Sequence, residues 1–501
     1  MDLFAIGVGG TGAKCLEALT HLQACGLLKA EDGRPVRLGT FLVDPDQQSA
    51  LLTRAQTAIT RYDTMCRAVG NGTEAFCRGP LEDYGHWSPL STSSGALSLE
   101  QVFPKAVLNS RASGLAALFD CLFPPEEQQA DLEVGFRGRP PIGSAVMSRI
   151  NLEQEAQTGQ WQRMLSAIES AAGSGDPPVI HLFGSVFGGT GASGVPTLGQ
   201  LLKNWLRRQN LQSVRVHASL LLPYFDFDGQ GDSDTGVHAE VRNFQLNTDA
   251  ALQYLRSNGE ACFDSVYLLG SDVKARFDFS IGGTSQANAA HVLELLAALA
   301  CRSTISRNRP AGYAFSISRS NRDSLQWEDL PEHEVVGKGL AAGARFAVAW
   351  LNNFSKEIDA AQKVRMPTFV SGAPWARRFF STTGKAAAVR GERPAIRDAQ
   401  ELSTRDAIDA YCEALLQWLA QISGNTGAGF EQTLFTTDTL APSTRPINAL
   451  GRVVLGKARP NVARSADTVE RIKIRMDRLS RNRIKLKGVA GLADTLWQLS
   501  T

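Results

Sequence analysis

Two short glycine runs hold the chemistry that this sequence offers. Gly7-Val8-Gly9-Gly10-Thr11-Gly12 follows the apolar run Leu3 to Val8 and precedes a helical pattern from Ala13 to Gln23. Gly188-Gly189-Thr190-Gly191 follows the apolar run Val179 to Phe183 and precedes a helical pattern from Pro196 to Arg208. Glycine lets backbone N–H groups approach an anion closely, and a helix N-terminus adds roughly half a positive charge. Each run therefore has the form of a phosphate cradle. The first also fits the dinucleotide fingerprint G-x-G-x-x-G, with Asp44 at the end of the next strand as a ribose acceptor. Neither run ends in Gly-Lys-Ser/Thr, so the P-loop lysine is missing. A single dinucleotide site has no use for a second cradle, whereas two on one sheet fit one polyphosphate held from both sides.

The elements that must position these loops alternate. Strands are expected at Leu3 to Val8, Leu38 to Val43, Val179 to Phe183, Val214 to Leu222 and Ser265 to Leu269, with helices between them. This alternation implies an α/β fold: a parallel, Rossmann-like sheet covered by helices on both faces. A third glycine turn, Gly135 to Gly143 with Gly138 at its centre, adds a further backbone-amide nest at the carboxyl ends of the strands. Residues 47–134 read as an insertion, with helices near Leu51 to Arg61 and Ser110 to Leu122. The nearly all-apolar run 287–306 reads as a buried core helix. The nucleotide-binding domain is thus expected over 1–306. A smaller α+β domain follows over 307–460, with strands at Tyr313 to Ser318 and Arg345 to Trp350 and a helix at Thr404 to Ile422. A basic segment closes the chain over 461–501. Between Glu470 and Lys487 of this segment, Arg471, Lys473, Arg475, Arg478, Arg481, Arg483, Lys485 and Lys487 stand against two acids, Glu470 and Asp477.

Composition excludes several classes. The 52 Lys and Arg against 50 Asp and Glu give a formal charge of +2, which argues against a general polyanion binder and leaves any nucleic-acid contact local. No window approaches the ~18 uninterrupted apolar residues of a membrane span, and no signal peptide is visible, so a cytoplasmic protein is expected. The eight cysteines form no C-x-x-C pair and suit reduced, buried thiols. The scattered histidines make no metal-ligand spacing.

The layout resembles the tubulin and FtsZ superfamily of GTPases over about residues 1–330. Ile6 to Gly12 resembles the family's first nucleotide loop, Phe41 to Asp46 its second strand and loop, and Gly135 to Gly143 its third loop. Gly188 to Gly191, followed by Pro196, resembles the signature that wraps the phosphates. The resemblance implies GTP or GDP with Mg2+ held by Gly9, Gly10, Thr11, Gly12, Asp44, Gly138, Gly188, Gly189, Thr190 and Gly191. Base recognition would fall at the start of the core helix, where Asn288 and His291 are available. It also implies head-to-tail self-association, in which a neighbour supplies acidic residues to the bound nucleotide. The matching segment is Ser324 to Leu330: Asp329 falls on the second family acid, Glu328 stands beside it, and Gln326 takes the place of the first. Phe187 replaces the first glycine of the signature, and Ser193 a later one.

Two rivals stand beside a hydrolysing GTPase. One is a nucleotide-controlled scaffold without hydrolysis, favoured by Gln326 and Phe187. The other is a Rossmann-type dinucleotide or ATP enzyme keyed on Gly7 to Gly12 and Asp44, which leaves the Gly188 loop unexplained. The basic C-terminal segment is a further candidate contact for an unknown protein partner.

Overall fold

The computed structural model describes residues 1–70, 76–77, 79–93, 97–111, 113–227, 241–278, 283–305, 324–382, 393–424, 431–432, 434–440, 446–455, 468–480 and 484–500. The chain divides into two compact units. The first comprises Met1–Leu19, Val36–Thr57 and Leu81–Arg309; the second comprises Thr20–Pro35, Ala58–Pro80 and Pro310–Thr501.

The first unit is built on six strands: β1 (Asp2–Val8), β2 (Arg37–Val43), β3 (Leu81–Trp87), β4 (Val179–Ser185), β5 (Arg215–Leu221) and β6 (Ser265–Leu269). All pair in parallel, in the order β3-β2-β1-β4-β5-β6. The chain builds outward from β1 on both sides, so the topological switch point lies between β1 and β4, where sheets of this kind bind ligands. Leu3 to Val8 and the whole of β4 are buried, which suits near-continuous apolar runs enclosed by helices on both faces.

The helices that matter here are α1 (Gly9–Ala24), α2 (Ala50–Val69), α3 (Pro140–Met147), α4 (Gly159–Ala172), α5 (Gly189–Arg208), α6 (Val241–Cys262) and α7 (Val292–Thr304). Trp161 of α4 packs edge-on against Phe41 and Trp87, with ring centroids 4.8 and 5.7 Å away, and so pins α4 to β2 and β3. The stretch read as an insertion thus contributes an edge strand. Its pattern is hard to see because the β2–β3 register shifts between Thr40 and Leu42, leaving Tyr84 and Trp87, three apart, as the buried positions. Helix α5 begins in the second glycine run itself, seven residues before Pro196. The core helix begins at Val292 rather than residue 287, because His291 caps it: its Nδ1 accepts the Leu293 N–H at 3.2 Å, and Glu294 accepts the His291 N–H at 2.6 Å.

The second unit is mainly helical, with α8 (His333–Ala349), α9 (Ala399–Gly424), α10 (Val469–Arg478) and α11 (Gly488–Ser500). Among the described residues its strand pairing is one short parallel pair, Ser324–Leu325 with Glu431–Gln432, and isolated bridges. The strand expected at Arg345 to Trp350 is instead the end of α8 running into a π-type turn, Trp350–Phe354. A short apolar run that is buried all round lacks the periodicity to separate strand from helix. The strand expected at residues 313–318 lies outside the described residues. Within this unit, Arg345 is buried and donates from Nη1 to the Ser500 carbonyl at 2.7 Å, while Trp350 donates from Nε1 to Asp409 at 2.6 Å. These bonds give each of two bulky buried side chains a polar partner.

Three histidines of the first unit are kept neutral by burial. His181 on β4 hydrogen-bonds through Nε2 to Ser219 Oγ at 2.8 Å and is held well below the usual imidazole range. His217 and His291 are each pushed down to about 4. The unfolded chain binds protons near pH 6.5 that the folded chain refuses, so the stability is present above that pH and lost as pH falls toward 4. Urea midpoints measured from pH 7.5 to 5 should therefore drop. His217→Gln should flatten that slope by on the order of 2 kcal/mol at pH 5, leaving the pH 7.5 midpoint little changed.

Candidate functional site

The two glycine loops meet at the switch point. Gly9 comes directly after β1 with φ +74°, a left-handed conformation that favours glycine. A Cβ on Gly9 would lie 3.2 Å from Thr190 Cβ and 3.4 Å from the Gly191 nitrogen. A Cβ on Gly191 would lie 2.7 Å from the backbone of Ser185. Each glycine thus permits a contact that a side chain would block. Both α1 and α5 begin in these loops, and the first N–H groups of a helix have no intrahelical acceptor. Gly188, at the cap of α5, provides no side-chain cap. Gly10, Thr11, Gly188 and Thr190 stay partly exposed, whereas Gly9, Gly12, Gly189 and Gly191 are buried beneath them.

The third loop is attached to the second. A Cβ on Gly189 would fall 2.9 Å from the Phe136 carbonyl oxygen, and Asn247 of α6 donates from Nδ2 to both the Gly138 carbonyl (3.1 Å) and the Phe187 carbonyl (2.9 Å). Arg137 and Arg139 flank Gly138 and are half-buried. Phe187 does not fill the cradle: its ring packs against Phe244 and Phe225, with centroids 4.7 and 5.4 Å away. Ser193 turns its hydroxyl back to the Gly189 carbonyl at 2.7 Å and so braces the start of α5.

Asp44 ends β2, the strand beside β1. It is buried, accepts the Asp46 N–H at 3.1 Å, and its carbonyl bonds the His86 ring at 2.8 Å. Burial pushes its carboxyl up to about 8, with the neighbouring Asp46 adding to the rise and the Asp46 N–H opposing it. Asn288 lies on the approach to α7, and its carbonyl accepts Arg54 Nη1 at 2.8 Å; the same arginine pairs with Glu17 at 2.9 Å.

Sequence reasoning missed the buried polar group behind the first loop. Lys14, one turn into α1, pairs with Glu294 at 2.5 Å and lies 3.4 Å from the Tyr224 hydroxyl, which donates to Glu294 at 2.6 Å. Thr11 also hydrogen-bonds Tyr224. Burial lowers the Lys14 pKa while Glu294 opposes the shift. A lysine among the small residues of an apolar helix was the available signal. Asn247 carried none, since it sits in an ordinary polar helix face.

Glu328 and Asp329 belong to the second unit, on a single 3-10 turn, Trp327–Asp329. Asp329 is buried and accepts the Gln326 N–H at 2.8 Å as part of a capping box, so it has a structural role of its own. Glu328 is half-buried. Among the described residues no cluster of three or more His, Cys, Asp or Glu is arranged to hold a metal, and no helix is long and apolar enough to cross a membrane.

No family model and no curated protein matches the chain. Among solved structures it is similar to CetZ2 from Haloferax volcanii, described as a GTPγS-bound protofilament, at 16% identity and a TM-score of 0.28, covering 61% of this chain and 60% of that one. It is also similar to CetZ from Methanosaeta thermophila strain DSM 6194, at 15% identity and a TM-score of 0.26, covering 60% and 52%. The chain thus spans less than two thirds of either protein. Likeness at this level adds no argument, and the parallel α/β fold stands on its own strand order.

The Asp44 environment has a measurable consequence. Between about pH 4 and 8 the folded chain keeps a proton that the unfolded chain releases, so Asp44 lowers stability as pH rises through that range, with no further loss above it. Asp44→Asn should raise the melting temperature at pH 8 more than at pH 5. Equal effects at both pH values would contradict a buried, protonated carboxyl.

Proposed function

We propose that the chain is a divergent, cytoplasmic tubulin/FtsZ-like protein that binds GTP or GDP with Mg2+ across its two glycine loops and hydrolyses GTP at a head-to-tail subunit interface. The observation that supports this most is the abutment of Gly9 on Thr190 and Gly191, which brings two helix N-termini, the second without a side-chain cap, next to each other. Amides of Gly9, Gly10, Thr11, Gly12, Gly188, Gly189, Thr190 and Gly191 would hold the phosphates, with the Thr190 hydroxyl at the rim. The loop at Gly138 would close the third side. Asp44, at the end of β2, would take the ribose and Asn288 the base. A Mg2+ held with the nucleotide would supply charge neutralisation at the terminal phosphates, and such ions are commonly bound through few protein carboxylates.

In the hydrolytic step a carboxylate from the next subunit orients a water for in-line attack on the terminal phosphorus, and the bridging P–O bond breaks as the new one forms. Glu328 is the more accessible of the two acids, and Asp329 holds its turn. The scaffold reading, binding without hydrolysis, is favoured by the capping role of Asp329 and by Gln326. The Rossmann dinucleotide or ATP reading gives no role to the second loop.

Phosphate release from GTP and ATP, measured across protein concentration, separates these readings. GTP turnover per molecule should rise with concentration, and Glu328→Gln should lower it about a hundredfold or more while nucleotide stays bound. Gly191→Ala should abolish nucleotide binding, since its Cβ displaces the loop. Bound GTP with no turnover at any concentration leaves the scaffold, and preferential retention of NAD or ATP overturns the GTP assignment.

A further inference from the structure

Helix α10 has two faces of opposite character. Val469, Ile472 and Met476 are buried, which fixes the helix to the second unit, and Thr468 caps it by accepting the Arg471 N–H at 3.2 Å. On the other side Arg471, Ile474, Arg475 and Arg478 are exposed. Their spacing of i, i+3, i+4 and i+7 places all four on one stripe, about 10 Å long at the rise of an α-helix. Ile474 is 44% exposed in the middle of three guanidinium groups.

The carboxylates nearby leave this stripe basic: Glu470, exposed one residue before Arg471, is a single acid against its three arginines. Asp477 lies off it and receives both Nε and Nη2 of Arg377 at 2.9 Å, with Arg378 alongside at 3.7 Å, so one acid is shared by two arginines. Glu357 is engaged by Lys473. Among the described residues, Arg475 and Arg478 form no ion pair. Lys485 and Lys487, seven and nine residues beyond Arg478, are both exposed.

Three partner chemistries would satisfy guanidinium groups, and the geometry separates them. A membrane surface calls for an apolar helix face turned toward lipid, and that face of α10 is already spent inside the protein. A nucleic acid would be expected to meet a wider basic footprint on a chain whose charges nearly cancel, and its backbone gives nothing to an aliphatic anchor. Carboxylates suit arginine in bidentate fashion, and an apolar residue ringed by charge is the core-and-rim pattern of protein interfaces. We infer that the exposed face of α10 is a docking surface for an acidic segment of another protein that places an aliphatic side chain on Ile474, between carboxylates paired with Arg475 and Arg478.

The test is fluorescence anisotropy on the full chain with a labelled peptide of four Glu-Leu-Glu-Asp repeats. The probe should bind in a salt-sensitive way and more tightly than polyglutamate of the same length. Arg475→Glu with Arg478→Glu should weaken it about tenfold or more, Arg475→Gln with Arg478→Gln less, and Ile474→Ser about threefold. All of these positions are exposed, so unchanged melting temperatures are expected and serve as the folding control. Binding of the peptide that is indifferent to these substitutions overturns the proposal. So does tighter binding of single-stranded DNA or of phosphatidylserine vesicles than of the peptide.

Discussion

The contact on which the site depends is the approach of Gly9 to Thr190 and Gly191 across two neighbouring parallel strands. β1 and β4 are paired along Leu3 to Gly7, so the segments that leave the two strands emerge at the same edge. Each of those segments is a helix, with no loop residues between strand and helix after β1 and three after β4. The two positive helix ends are therefore forced side by side, where each disfavours the other. An anion between them would relieve that repulsion and satisfy the orphan amides together. A side chain at Gly9 would press on the second loop, one at Gly191 would collide with Ser185 at the end of β4, and one at Gly189 with Phe136 of the third loop.

Behind this edge the protein buries charge in a way that fixes the first loop. Lys14 and Glu294 are almost fully enclosed, and Tyr224 bridges Glu294 to Thr11. A buried pair of this kind gains little net stability, because desolvation offsets the Coulomb attraction, but removing one partner is costly. Its effect here is positional: α1, the segment that follows β5 and the capped start of α7 share one hydrogen-bonded group. The Arg54 contacts to Glu17 and the Asn288 carbonyl hold the approach to α7 in the same way. The nucleotide reading thus rests on a rim of backbone amides supported by a polar interior.

The parallel sheet and both loops could be read from the sequence because they obey local rules: unbroken apolar strands, glycines at strand ends and helical periodicity after them. The features that escaped depend on tertiary context. β3 is hidden by a register shift, and the end of α8 reads as a strand because every face of Ala344 to Trp350 is buried. Lys14 is an ordinary helix former until Glu294 and Tyr224 are placed beside it. Asp329 could be picked out as an acid next to Glu328, but its capping hydrogen bond emerges only from the turn that it closes. Phe187, read as bulk within the second loop, packs into an aromatic cluster away from the ligand position.

The central claim is that both loops serve one ligand, and amide hydrogen exchange tests it directly. With GTP and Mg2+ added, exchange at Gly9 to Gly12 and at Gly188 to Ala192 should slow together, over the same concentration range, because one polyphosphate orders both sets of N–H groups. Protection of the first loop alone, or of neither, would contradict a shared cradle.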